Sequence, residues 1–208
     1  MNKQTIKEFK TEYYIEVIEG IIEANGGYVT SKQITELGIH RMYLNIMIKK
    51  NMIERVNKGV YIDKKTTEDV YYTFQLRYPK MIFSRFTSLY FWGLTEIQPS
   101  NFDLTVDYNY HIANVNDHHS IIKCNKNILE LGLTKINTPH GHKVRVYDKE
   151  RCICDIIKYK NRLDLEQVKK TVKMYVKDND KNLNNLIKYS NIMGINKEVM
   201  DFVGMFYE

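Results

Sequence analysis

Four side chains able to ligate a metal lie within fifteen positions, His140, His142, Cys152 and Cys154. Zinc takes four such ligands, but cysteines two apart on a helix point about 200° apart around its axis and cannot face one ion together. Buried thiols, and no metal, are the expectation. Asp103 and Asp107 fall on the same face of a strand, where a metal-dependent nuclease or nucleotidyltransferase would hold a cation. No Gly-Ser turn precedes them and no Lys follows at nuclease-like spacing, so a solvent-facing strand edge is the plainer expectation. Asp117, His118 and His119 could pass a proton but lack a partnered nucleophile, and read as a polar loop. None of the ten glycines has phosphate-loop spacing. No catalytic residue and no cofactor are assigned, and the chain is not expected to be an enzyme.

The remaining chemistry is cationic. The 208 residues are 43 % apolar and 27 % charged, proportions of one large or two small globular domains. A net charge of +6 and a pI near 9.0 admit polyanionic partners. Residues 31–65 hold eight Lys or Arg against three acids, a net of +5, whereas residues 1–30 carry −2. Residues 143–173 carry a second +5, and Lys158, Lys160, Arg162, Lys169, Lys170 and Lys173 form a candidate second basic surface. The bland alternative is a set of Lys-rich solvated helix faces. No run approaches about 18 apolar residues, and the chain starts Asn2, Lys3, Gln4 without an apolar block to follow. No membrane partner and no secretory leader are expected. Cys124, Cys152 and Cys154 are too few and too uneven for a disulfide framework, which points to a reducing cytoplasm.

The first basic segment has a helix-turn-helix pattern. Tyr14, Val17, Ile18, Ile21 and Ile22 form one stripe of a helix from about residue 10 to residue 25, ended by Gly26 and Gly27. Ser31 is expected to cap a second helix that stops at Gly38. A third helix from His40 to about Lys50 should bury Leu44, Met47 and Ile48 and turn Arg41, Met42, Asn45, Ile46 and Lys49 outward. Met52 to Asp63 reads as a hairpin turning at Asn57, Lys58 and Gly59. Three helices and a basic hairpin make a winged helix-turn-helix, whose third helix enters the major groove of double-stranded DNA while the hairpin follows phosphates. Arg41 suits guanine and Asn45 adenine, and Met42 and Tyr43 suit a thymine methyl. Lys32, Lys49, Lys50, Arg55 and Lys58 suit phosphates, and Ser31, His40 and Asn57 complete the candidate surface. His40 has a second reading as a capping residue, and the module as a whole could instead contact protein.

From about Thr67 the composition turns aromatic, with Tyr71, Tyr72, Phe74, Tyr78, Phe83, Phe86, Tyr90, Phe91 and Trp92 read as a core helix. Ser84 to Gly93 reads as a short helix, and Phe102–Tyr108, Ile121–Cys124 and Lys143–Tyr147 as strands. Helices follow from Asp148 to about Tyr159, Asp164 to Val176, Leu183 to Met193 and Lys197 to Phe206. The expected class is α+β, with a winged helix over residues 1–66 and a second domain over 67–208. Its sheet would span about 67–147 and its helical bundle about 148–206.

Three short segments carry a family resemblance. They are Lys58, Gly59, Val60 and Tyr61; Phe83, Ser84, Thr87, Ser88 and Leu89 with Trp92, Gly93 and Leu94; and Val146, Tyr147, Asp148, Glu150, Arg151, Cys152 and Asp155. In this order and spacing the chain resembles the AbiEi family, antitoxins of type IV abortive-infection toxin-antitoxin systems. The resemblance implies a DNA-binding module that represses the operon promoter at inverted repeats. It also implies a carboxyl-terminal domain that counters a nucleotidyltransferase toxin without necessarily forming a stable complex with it. Two other functions remain open from the residues alone: a winged-helix regulator whose aromatic middle senses a small ligand, and a metal-dependent nucleic-acid enzyme using Asp103 and Asp107.

Overall fold

A computed structural model describes residues 3–111, 115 and 118–207. By compactness the chain divides into two units, residues 1–79 together with 138–142, and residues 80–137 together with 143–208. The change of composition at residue 67 falls inside the first unit.

In the first unit, α1 (Lys3–Ala24) begins earlier than expected and buries Ile15, Ile18 and Ile22, with Tyr14, Val17 and Ile21 partly buried beside them. It ends as Gly27 donates its amide to the Ile22 carbonyl at 2.8 Å. Gly27 has φ +95°, and a Cβ there would lie 2.3 Å from Thr66 Oγ1, so conformation and space both demand glycine. A short strand that sequence reading missed, β1 (Tyr28–Thr30), leads into α2 (Ser31–Glu36). Thr30, not Ser31, caps α2. Its Oγ1 accepts the Gln33 amide at 3.2 Å while Gln33 Oε1 accepts the Thr30 amide at 2.8 Å, a reciprocal box that leaves Ser31 as the first helical residue. After Gly38, α3 (Met42–Lys49) starts where His40 Nδ1 accepts the Met42 amide at 3.1 Å.

The burial of α3 differs from the expected stripe at three positions. Tyr43, Leu44 and Met47 are its buried residues, with Ile46 partly buried against the same core. Ile48, expected inside, is 36 % exposed, and Tyr43, expected outside, is 8 % exposed with its ring 4.8 Å from that of Tyr14. The packing of α1 against α3 rotates the buried face toward Tyr43, because the Tyr14 ring supplies its apolar partner there. The hairpin follows as β2 (Ile53–Asn57) and β3 (Val60–Asp63), and β1 pairs antiparallel with β3 to give the sheet order β1-β3-β2. Of the three turn residues only Gly59 has a positive φ, +77°, and the pairing slips between Arg55 and Asn57 as a bulge. The unit continues with α4 (Val70–Arg77), which is capped by Asp69.

The second unit is built on a five-stranded mixed sheet. Its strands are β4 (Ile82–Phe83), β5 (Asp103–Asp107), β6 (Ser120–Cys124), β7 (Leu133–Asn137) and β8 (Lys143–Tyr147), in the order β6-β5-β4-β8-β7. β4 and β7 were not foreseen, and the aromatic stretch forms α4, β4 and α5 (Arg85–Phe91) rather than one core helix. A single turn, α6 (Lys126–Leu129), links β6 to β7. Four helices complete the unit, α7 (Lys149–Lys158), α8 (Leu165–Lys177), α9 (Leu183–Ile192) and α10 (Asn196–Gly204), with a 3₁₀ turn at Lys160–Arg162. Asp148 and Asp164, where the sequence places the starts of these helices, cap α7 and α8. The core joins Ile82 and Leu89 to Ile153, Ile156 and Ile157 of α7, and to Val172, Leu186 and Val199 from the three following helices. The α+β class with a winged helix, a small sheet and terminal helices is the observed architecture.

Candidate functional site

The start of α2, the hairpin and the end of α4 line one groove of about 440 Å³ in the first unit. Lys32, Arg41, Arg55, Lys58 and Arg77 all line it, and among the described residues no Asp or Glu does. The hydrogen bonds around it explain the convergence. The Ser31 amide donates to the Gly59 carbonyl at 2.9 Å, holding the wing turn against the start of α2. Thr35 Oγ1 donates to the Ser31 carbonyl at 2.8 Å and accepts from Arg41 Nε at 2.9 Å. Arg55 Nε donates to the Asn57 carbonyl at 3.2 Å, and Asn57 Oδ1 accepts the Lys58 amide at 2.8 Å. Lys32 has Glu36 at 3.6 Å, but both side chains are more than half exposed, so the pair offsets little of its charge.

The candidate residues therefore separate into three sets. Ser31, Lys32, Arg41, Arg55 and Lys58 lie at the groove, and the half-buried Asn57 shapes its turn. Met42, Asn45, Lys49 and Lys50 are exposed along α3, Met42 at 42 %. His40 is exposed with Nδ1 engaged as a cap, and Tyr43 is withdrawn into the core. Arg77 was missed. The helix-turn-helix pattern ends with the hairpin, and the only signal for Arg77 in the sequence is a basic residue in the last turn of a following helix.

Three of the six cations of the candidate second basic surface have an acidic neighbour. Lys160 pairs with Glu198, Lys169 with Glu166 at 2.8 Å and Lys170 with Glu96 at 3.0 Å. Lys158, Arg162 and Lys173 are exposed.

Asp103, His119 and His142, three of the side chains that suggested enzymatic or metal chemistry, have structural partners. Asp103 is not on a solvent-facing edge. β5 lies between β6 and β4, and the carboxylate accepts from the Arg85 guanidinium at 2.5 Å and the Phe86 amide at 3.2 Å. Burial raises its pKa, against the opposing pull of Arg85. His142 Nδ1 donates to Asp69 Oδ2 at 2.9 Å. Burial pushes the Cys152 thiol well up and the Cys154 thiol up to about 12, so neither is a ready thiolate. Among the described residues no group of three or more His, Cys, Asp or Glu is placed to hold a metal ion. His119 Nδ1 accepts the Phe102 amide at 2.9 Å, and its neighbour Asp117 lies outside the described residues.

The residues that carried the family resemblance in the second unit turn out to be its polar scaffold. Ser88 Oγ and Trp92 Nε1 both donate to the Tyr147 carbonyl at 2.8 Å. Arg151, 2 % exposed, donates to Asp155 at 3.2 Å, bonds the Ile128 and Leu131 carbonyls and covers the Tyr147 ring at 4.2 Å. Asp148 accepts the Arg151 amide at 2.9 Å and the Tyr189 hydroxyl at 2.8 Å.

Among solved structures the chain is similar to the RV2827C protein from Mycobacterium tuberculosis, at 11 % identity and a TM-score of 0.64 over 92 % of this chain and 76 % of that one. That likeness concerns the fold. No curated protein matches the chain. No helix among the described residues is long and apolar enough to cross a membrane. Residues 18–62, from the middle of α1 to the end of the wing, match the family model described as "Transcriptional regulator, AbiEi antitoxin". An antitoxin or transcriptional-regulator role is what that match supports, and it is to this family of regulators, rather than to a family of enzymes, that the winged-helix segment is similar.

Proposed function

We propose that the protein is an antitoxin and transcriptional autorepressor of a type IV abortive-infection operon, acting in the cytoplasm without catalysis. Residues 1–66 bind inverted repeats in the operon promoter, and residues 67–208 counter a nucleotidyltransferase toxin with no requirement for a stable complex. The observation that carries the reading is the convergence of Lys32 of α2, Arg41 just before α3, and Arg55 and Lys58 of the wing on one groove, together with the exposure of Met42, Asn45 and Lys49 on α3. In this reading α3 enters the major groove, with Asn45 suited to paired hydrogen bonds with adenine and Met42 to a thymine methyl. Arg41 contacts DNA at the start of α3. Ser31, Lys32, His40, Lys49, Lys50, Arg55, Asn57 and Lys58 hold the backbone on either side.

Fluorescence anisotropy with the duplex upstream of the gene and a shuffled duplex tests it. Asn45→Ala is expected to cost about 1–3 kcal/mol on the promoter duplex and to relax base preference, whereas Lys58→Ala weakens both duplexes alike. Equal wild-type affinity for the two duplexes at physiological salt rules the repressor out. Charge reversal of Lys169, Lys170 and Lys173, scored separately for repression and for rescue from the toxin, assigns or dismisses the second basic surface.

A further inference from the structure

The groove contains one cation that the winged-helix pattern does not account for. Arg77 stands in the last turn of α4, past the wing, yet faces the same concavity as Lys32, Arg41, Arg55 and Lys58. Gathering five positive side chains around a space that no carboxylate of the described residues lines costs electrostatic free energy unless an anion enters. The cations are also pre-positioned. Arg41 and Arg55 each commit only Nε to a protein acceptor, which leaves both terminal nitrogens of each guanidinium without a partner among the described residues. Arg77 lies with its guanidinium carbon 5.3 Å from the centre of the Tyr78 ring and has no acidic partner among the described residues. Leu76 and Pro79 give the groove an apolar side on the same segment, suited to the face of a deoxyribose.

We propose that Arg77 completes a seat for a backbone phosphodiester of duplex DNA, formed with Lys32, Arg55 and Lys58, so that the DNA-contacting surface extends beyond the winged helix onto α4. The proposal rests on the DNA-binding reading given above and adds to it a residue outside the segment that matches the family model. A phosphate seat carries no base information, so its contribution is equal on all sequences and falls with salt as condensed cations are displaced.

The test is a salt titration of the full chain on the promoter duplex and on a shuffled duplex, read by anisotropy for the wild type, Arg77→Gln and Arg77→Lys. Glutamine keeps most of the aliphatic stem against Tyr78 and removes the charge. Arg77→Gln is expected to weaken both duplexes by the same factor and to make the slope of log K against log salt shallower by about 0.9. Between 50 and 200 mM salt the deficit of the variant then shrinks about threefold. Arg77→Lys should retain the wild-type slope. Because α4 could be perturbed by Arg77→Gln, the lysine variant, whose fold is checked by circular dichroism, decides that case: a wild-type slope supports the seat, and a slope reduced in a folded Arg77→Lys overturns it. Wild-type affinity and slope in Arg77→Gln, with the wild type still preferring the promoter duplex, overturns the seat and leaves the repressor standing. A wild type that binds both duplexes equally, with the slope still reduced by Arg77→Gln, sinks the repressor and upholds the seat.

Discussion

Replacing Asp69 with alanine should disable the element that carries Arg77. Asp69 is fully buried and its carboxylate is saturated. Oδ1 accepts the Tyr71 and Tyr72 amides at 3.1 Å each, capping α4. Oδ2 accepts from Thr138 Oγ1 at 2.5 Å and from His142 Nδ1 at 2.9 Å. The His142 ring then stacks on Tyr72 at 4.3 Å, tilted by only 9°, so one carboxylate fixes the helix start and the 138–142 segment together. Loss of the cap alone costs about 1 kcal/mol. Leaving a buried hydroxyl and a partly buried imidazole without their acceptor adds about 1–3 kcal/mol, giving about 3 kcal/mol in all, since such losses do not sum fully. For a chain of this length that lowers Tm by about 10 °C. Thermal unfolding followed by circular dichroism reads the shift, and hydrogen exchange at the Tyr71 and Tyr72 amides localises it. Asp69→Asn, which keeps one accepting oxygen, should fall between the two. A Tm within about 2 °C of wild type, with both amides still protected, would refute the assignment of Asp69 as the organiser of this unit.

Three further substitutions have defined outcomes. Gly59→Ala forces a side chain onto φ +77° with its Cβ 2.8 Å from Ser31 Oγ, so it should destabilise by about 1–3 kcal/mol and raise hydrogen exchange at the Ser31 amide, which bonds the Gly59 carbonyl. Asp155→Ala leaves the buried Arg151 guanidinium without its carboxylate and should cost about 3–5 kcal/mol in urea unfolding. Asp148 has its pKa raised to about 6, chiefly by burial, against about 3.9 when unfolded. The folded state therefore binds that proton more tightly, and the stability the group contributes is present below about pH 4 and lost as pH rises through about 6. Asp148→Asn has no such loss, so its stability relative to wild type should improve by on the order of 2 kcal/mol between pH 4 and pH 7. A difference that is flat with pH would contradict the raised pKa.

Where sequence was legible, the signals were local and physical. The stripe of α1, the break at Gly26 and Gly27, the turn at Gly59 and the helix starts at Asp148 and Asp164 all depend on neighbours within a few residues, and each is found close to where the pattern put it. The missed strands and the shifted face of α3 share a tertiary cause. β1 is three residues long and exists because Val29 pairs with Tyr61. β4 is two residues long and exists because Phe83 pairs with Leu104 and Val146. Tyr43 and Ile48 exchanged places because the Tyr14 ring, far away in sequence, packs on one face of α3. Thr30 displaced Ser31 as the cap because Gln33 answers it from three residues on, a pairing visible in the sequence once both ends are considered. For the candidate site, the cations of α2, α3 and the wing follow from the motif, and Arg77 does not, since nothing local indicates that the end of α4 returns to the wing.

The most direct test of the central claim is a hydroxyl-radical footprint of the full chain on the promoter duplex. The account expects protection of backbone segments flanking a major-groove stretch within each inverted repeat, weakened at the flanks by Lys58→Ala. Uniform cleavage along the duplex, at concentrations where the chain is saturated by anisotropy, would contradict it.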